Sequence, residues 1–164
     1  MTNTRFRLLG LAGLVALLSA SLSAQVLSGD ALKKVVPTTY FFAGQSAAVQ
    51  ARNSVALKSA GGHFVLAGLV DTSGYSTAIQ EKYQGFFITE TKLAFEGAAL
   101  DPGEYGFGFK NGKFLVMNVA SSDLLSVATK EDADLKHPVP LKFEKDGDGY
   151  RLYAGKNYVA FKAD

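Results

Sequence analysis

From Thr38 onward, short runs of alternating apolar and polar residues are broken by turn dipeptides at roughly ten-residue spacing, the pattern of antiparallel strands joined by tight turns. The last two turns constrain the chain most. A turn at Asp146-Gly147 is expected to pair Phe143 with Tyr150 and Leu141 with Leu152. One at Gly155-Lys156 is expected to pair Leu152 with Val159, Tyr150 with Phe161 and Tyr153 with Tyr158. Both put Leu141, Phe143, Tyr150, Leu152, Val159 and Phe161 on one face, with Lys142, Arg151 and Lys162 on the other. A one-residue slip would bury the charges, so a three-stranded C-terminal meander follows.

Earlier turns extend the pattern. Asn111-Gly112 supplies the positive φ that both central positions of a type I′ turn need. It sets Lys110 against Lys113, Phe109 against Phe114, Phe107 against Val116 and Tyr105 against Asn118. Gly61-Gly62, read as a two-residue turn, sets Leu57 opposite Leu66 and Ser59 opposite Phe64, with Lys58 and Val65 on the reverse face. Ala47, Val49 and Ala51 alternate, which reads residues 45–52 as strand. Thr77 followed by Gln80 resembles a capping box, and Glu81-Lys82-Tyr83 can continue it. A helix of two or three turns is therefore predicted within 75–84, covering an open end of the sheet. Together these features predict an all-β antiparallel sandwich of eight to ten strands over residues 38–164. A small up-and-down barrel is the alternative. Membrane barrel strands average about 10 residues and face lipid along their length, whereas the runs here are shorter and turn Lys142, Arg151 and Lys162 outward.

The chain has no cysteine, which removes disulfides, thiolate metal sites, a cysteine nucleophile and a lipidated cysteine. Its core must hold it. At the N-terminus, Arg5 and Arg7 precede the apolar run Leu8 to Leu18, followed by small residues from Ser19 to Ala24. Basic start, short apolar middle and small exit residues are the parts of a secretory signal peptide, and the run falls short of the about 20 residues a spanning helix needs. Residues 1–24 are thus expected to be removed, leaving an arm at 25–37 and one domain at 38–164, secreted or periplasmic, with no transmembrane segment in the mature protein. Removal takes Arg5 and Arg7 from the 17 basic residues and leaves the total level with the 15 acidic ones. A neutral chain without a basic run argues against nucleic acid and against a polybasic membrane patch.

Several stretches carry possible chemistry. In Glu104-Tyr-Gly-Phe-Gly-Phe-Lys110, Tyr105, Phe107 and Phe109 share a face and Gly106 and Gly108 leave the other bare. Glycine in a strand marks a bulge, a bend or the close approach of another group; a packing layer or the short helix is the simpler occupant, a ligand the alternative. Just before it, Pro102-Gly103 has the residues of a type II turn. Leu100-Asp-Pro-Gly-Glu-Tyr105, a Leu-x-Pro-Gly-x-Tyr motif entering a strand, resembles the hairpin of several uncharacterised bacterial secreted β-sandwich families. The resemblance covers about residues 93–119, implies a sandwich and carries over no site residues.

Leu69-Val-Asp-Thr-Ser-Gly74 is similar to the catalytic turn of aspartic proteases, with Asp71 in the acidic place, but Ser73 displaces the glycine that the tight loop needs. Gly74-Tyr-Ser-Thr-Ala78 approaches a nucleophile elbow at Ser76, with Asp132 or Asp134 and His137 to complete a triad. Its last glycine is replaced by Ala78, and no alternating βα pattern supports that fold. Asp146-Gly-Asp-Gly149 lacks the further oxygen ligands of a calcium loop. His63 and His137 stand apart, short of a zinc set. No metal or cofactor is expected.

Tyr153 and Tyr158, paired across strands beside Arg151, offer a flat aromatic surface flanked by cations. Such a pair could stack on sugar rings of a glycan or cell-envelope component, although cross-strand aromatic pairs also stabilise sheets unaided. The reading that follows is an exported, non-catalytic binding or interaction module with Tyr153, Tyr158 and Arg151 as its ligand contacts. A small secreted hydrolase at Asp71 or Ser76 is the alternative.

Overall fold

Alternation and turn chemistry produce fourteen strands and two short helices within residues 24–163, those that the computed structural model describes. The expected signal peptide lies outside them except for Ala24. The chain runs through β1 (Gln25–Val26), α1 (Gly29–Val35), β2 (Thr39–Phe42), β3 (Gln45–Lys58), β4 (Phe64–Val70), α2 (Thr77–Gln80) and β5 (Gly85–Thr89). It continues through β6 (Leu93–Phe95), β7 (Ala98–Leu100), β8 (Gly103–Lys110), β9 (Lys113–Met117) and β10 (Asp123–Ala128). β11 (Lys130–Glu131), β12 (Val139–Asp146), β13 (Gly149–Gly155) and β14 (Asn157–Ala163) follow. The count exceeds eight to ten because several strands have only two or three residues.

One antiparallel sheet runs β1-β3-β4-β5-β8-β9-β10, with β2 paired to the far end of β3; the other runs β12-β13-β14-β6-β7, with β11 beside β14. They form a sandwich and neither closes into a barrel. The main core lies between them and includes Leu57, Val65, Phe87, Phe107, Phe114, Leu152 and Phe161. Burying a side chain of this size contributes roughly 1.5–3 kcal/mol. A second core lies on the outer face of the first sheet, where β2 and the segments flanking α2 lay Tyr40, Phe42, Tyr75 and Tyr83 over Phe86 and Met117. Phe42 and Tyr83 stack with centroids 3.8 Å apart. The molecule therefore has three layers, not two.

This third layer explains the glycines of β8. A Cβ at Gly106 would lie 2.3 Å from the Phe42 ring, and one at Gly108 2.1 Å from the Lys82 carbonyl oxygen just after α2. The bare strip is filled by protein, as the packing reading expects. On the opposite face Phe107 and Phe114 are fully buried, and Tyr105 and Phe109 pack beside them.

The C-terminal faces form as expected, with Leu141, Phe143, Tyr150, Leu152, Val159 and Phe161 all buried. The pairing of β13 with β14 agrees residue for residue. That of β12 with β13 is shifted by two: Phe143 meets Leu152 and Lys145 meets Tyr150. The turn is Gly147-Asp148, with Gly147 at φ 58° in the first central place, where type II′ hairpins use glycine. A shift of two keeps every side chain on its face, so alternation alone could not detect it. At β8–β9 the expected register holds from Lys110↔Lys113 to Phe107↔Val116, and Asn111 and Gly112 both take positive φ.

Other expectations are corrected. β3 and β4 pair Leu57 with Val65 and Ala56 with Leu66, one residue from the expected register. The connection is a three-residue loop, Ala60 to Gly62, closed by Ser59 N–H to the His63 carbonyl at 2.8 Å, with Gly62 alone at positive φ. Gly103 does not take the positive φ of a type II turn; it opens β8 opposite Thr89. Its place is set by Tyr105, whose ring lies over it and whose hydroxyl donates to the Asp101 carbonyl at 2.9 Å, the arrangement of a tyrosine corner. α2 is a single turn with Ser76 as N-cap and no side-chain cap bond. Gln80 does not complete a capping box, because its amide donates to the Tyr75 carbonyl at 2.7 Å. Finally, the arm at 25–37 is structured: it holds β1, paired to β3, and α1.

Candidate binding site

β3 changes partners along its length, and a bulge marks the change. Between Val49, paired with Val70, and Ser54, paired with Gly68, four residues of β3 stand opposite Leu69 alone. Side chains hold this shape: Gln50 donates to the Val70 carbonyl at 3.2 Å, Ser54 to the Gln50 carbonyl at 3.1 Å, and Asn53 to the Gln50 side chain at 2.7 Å. Bulges re-aim side chains and recur beside functional sites.

α1 lies across this bulge. Its apolar residues Leu32 and Val35, continued by Val36, pack towards the second core, while Asp30 and Lys33 pair on the exposed side at 3.1 Å. The helix does not seal the bulge. A cleft of about 510 Å³ remains, walled by Leu32, Val36, Pro37, Val49 and Ala51, with Lys33, Thr38 and Arg52 at its polar parts. That volume lies within the range of small-ligand sites, about 300–1,000 Å³. Arg52 makes no ion pair among the described residues. Sequence reasoning missed this site by treating 25–37 as an arm; the available signal was the i, i+3, i+4 spacing of Leu32, Val35 and Val36 behind an acidic first turn.

The aromatic surface expected at Tyr153, Tyr158 and Arg151 is assembled, but it is closed. The two rings lie 5.1 Å apart. Tyr153 is only 1 % exposed: Lys142 lies over its ring, and its hydroxyl donates to Asp132 at 3.1 Å and accepts from Arg151 at 3.3 Å. Arg151 also pairs with Asp146 at 2.8 Å and covers the Tyr158 ring at 4.7 Å. Burial raises the Tyr153 hydroxyl's pKa. Stacking a sugar on this pair would first require moving Lys142.

Asp71 and Ser76 do the work of turn residues. The Asp71 carboxylate accepts the Ser73 N–H at 3.0 Å, and Ser73 holds its pKa below the usual carboxylate range. Ser76 stands at the N-cap position of α2, while Asp132 is engaged by Tyr153. In the Asp146–Gly149 segment both carboxylates meet cations, Asp146 with Arg151 and Asp148 with Lys162 at 2.9 Å. His63 and His137 are both exposed. No family model, curated protein or solved structure matches the chain.

Proposed function

We propose that this is an exported, non-catalytic binding module whose ligand site is the cleft between α1 and the β3 bulge. The open cleft carries the reading: it joins apolar walls to Arg52, a cation without an ion pair among the described residues, whereas the Tyr153–Tyr158 surface is covered by its own neighbours. The engagement of Asp71 by Ser73 and of Asp132 by Tyr153 supports binding over the hydrolase alternative. Export rests on the three-part pattern of residues 1–24, and β1 begins at Gln25, the residue after the expected cut. A fragment library screened by amide chemical shifts tests the site. Perturbations are expected to cluster on residues 29–38 and 49–54; clustering around Tyr153 and Tyr158 instead would return the site to the aromatic face.

A further inference from the structure

We infer that the cleft takes a single-chain amphipathic carboxylate of the free fatty-acid class, an inference that rests on the cleft being the ligand site. The walls contributed by Leu32, Val36, Pro37 and Val49 suit an aliphatic chain, and among the described residues no aromatic side chain lines the cleft to stack on a sugar or a base. The charge at its edge selects the head group. Arg52 is raised on the bulge, is exposed, and meets no carboxylate of its own among the described residues. A guanidinium presents a planar fork of donors that matches a carboxylate. The other cation, Lys33, is already shared with Asp30, so the edge offers about one uncompensated positive charge. A monoanion fits that balance, whereas a phosphate dianion would leave charge unmatched. Ser54 is not a competing anchor, since its hydroxyl is committed to the Gln50 carbonyl.

The test titrates the folded protein with decanoate, 1-decanol and decylammonium below their aggregation concentrations, read by amide chemical shifts. Decanoate is expected to perturb residues 29–38 and 49–54 and to bind at least about tenfold more tightly than decanol, the scale of one charge-assisted contact. Decylammonium is expected to bind more weakly than either. Arg52→Gln should bring decanoate down to the level of decanol with an unchanged unfolding midpoint, because Arg52 has no ion-pair partner to lose among the described residues. Equal binding of acid and alcohol in the cleft, or undiminished decanoate binding by Arg52→Gln, would overturn the choice of a carboxylate while leaving the cleft as the site. Decanoate shifts away from the cleft, or none there, would also overturn it; the fragment screen judges the cleft independently.

Discussion

The Lys142 ammonium lies 4.6 Å from the centre of the Tyr153 ring and closes the outer face of the second sheet over it. With Asp132 and Arg151 on its hydroxyl, Tyr153 acts as an interior residue on a nominally exterior face. Tyr153→Phe keeps the ring and loses the hydrogen bonds, at an expected cost of about 1–2 kcal/mol. Tyr153→Ala removes the ring as well and is expected to cost about 3–5 kcal/mol, against less than about 1 kcal/mol for Tyr158→Ala. Urea unfolding of the three variants decides this; a neutral Tyr153→Ala would mean that the ring supports nothing.

Gly106 and Gly108 separate two kinds of contact. Alanine at Gly106 meets a side chain, Phe42, so Gly106→Ala is expected to cost about 1–3 kcal/mol, part of which Phe42→Leu in the same chain should recover. Alanine at Gly108 meets the Lys82 backbone, so Gly108→Ala should be at least as costly and insensitive to Phe42→Leu. A double-mutant cycle measured by thermal unfolding distinguishes the two positions.

Tyr83 is buried and stacked, yet its hydroxyl makes no hydrogen bond of good geometry among the described residues, although the Tyr75 hydroxyl is near. Burial pushes its pKa well above the ordinary tyrosine value. An unsatisfied buried hydroxyl costs about 1–3 kcal/mol, so Tyr83→Phe should leave stability unchanged or raise it. A loss above about 1 kcal/mol in chemical denaturation would show that the hydroxyl has a partner after all.

Asp71 is expected to titrate below the usual carboxylate range because Ser73 binds its ionised form. With the folded value below the unfolded one, the turn gains from this contact above the ordinary aspartate range. It loses the contribution as pH falls through the lowered value. A shared-proton protease dyad needs one carboxyl raised instead. Carbon-detected NMR titration gives the direction, and peptide and ester substrates offered to wild type, Asp71→Asn and Ser76→Ala should show no turnover that either substitution removes.

N-terminal sequencing of protein from the extracytoplasmic fraction is expected to begin at Gln25, with cleavage after Ala20 as the second possibility. Gln25 of β1 pairs with Lys58 of β3, so the cut would fall at the edge of the folded sheet. A chain that retains Met1 in the inner membrane would instead carry a signal anchor.

Local rules that act within one hairpin were legible in the sequence. Asn111-Gly112 fixed its register because both positions demand positive φ, and charge alternation fixed the faces of β12 to β14. The register errors fell where a turn had two solutions: Gly61-Gly62 extended to three residues, and Asp146-Gly147 slid to Gly147-Asp148. The third layer was harder to read. Tyr40, Phe42, Tyr75 and Tyr83 come from separate segments and meet only in the fold. The cleft depends on that layer, and its bulge follows from a mismatch in length between β3 and β4 that no local pattern announces.

The glycine strip of β8 also has an evolutionary consequence. Most core positions tolerate exchange among apolar residues when volume is kept, so descent can erase their identities. Gly106 and Gly108 have no such latitude while Phe42 and the Lys82 carbonyl stay where they are. A distant descendant with this three-layered fold would be expected to retain a Gly-aromatic-Gly strand, an upstream aromatic at the position of Phe42 and a one-turn helix between them. That spacing could reveal kinship after overall identity has faded.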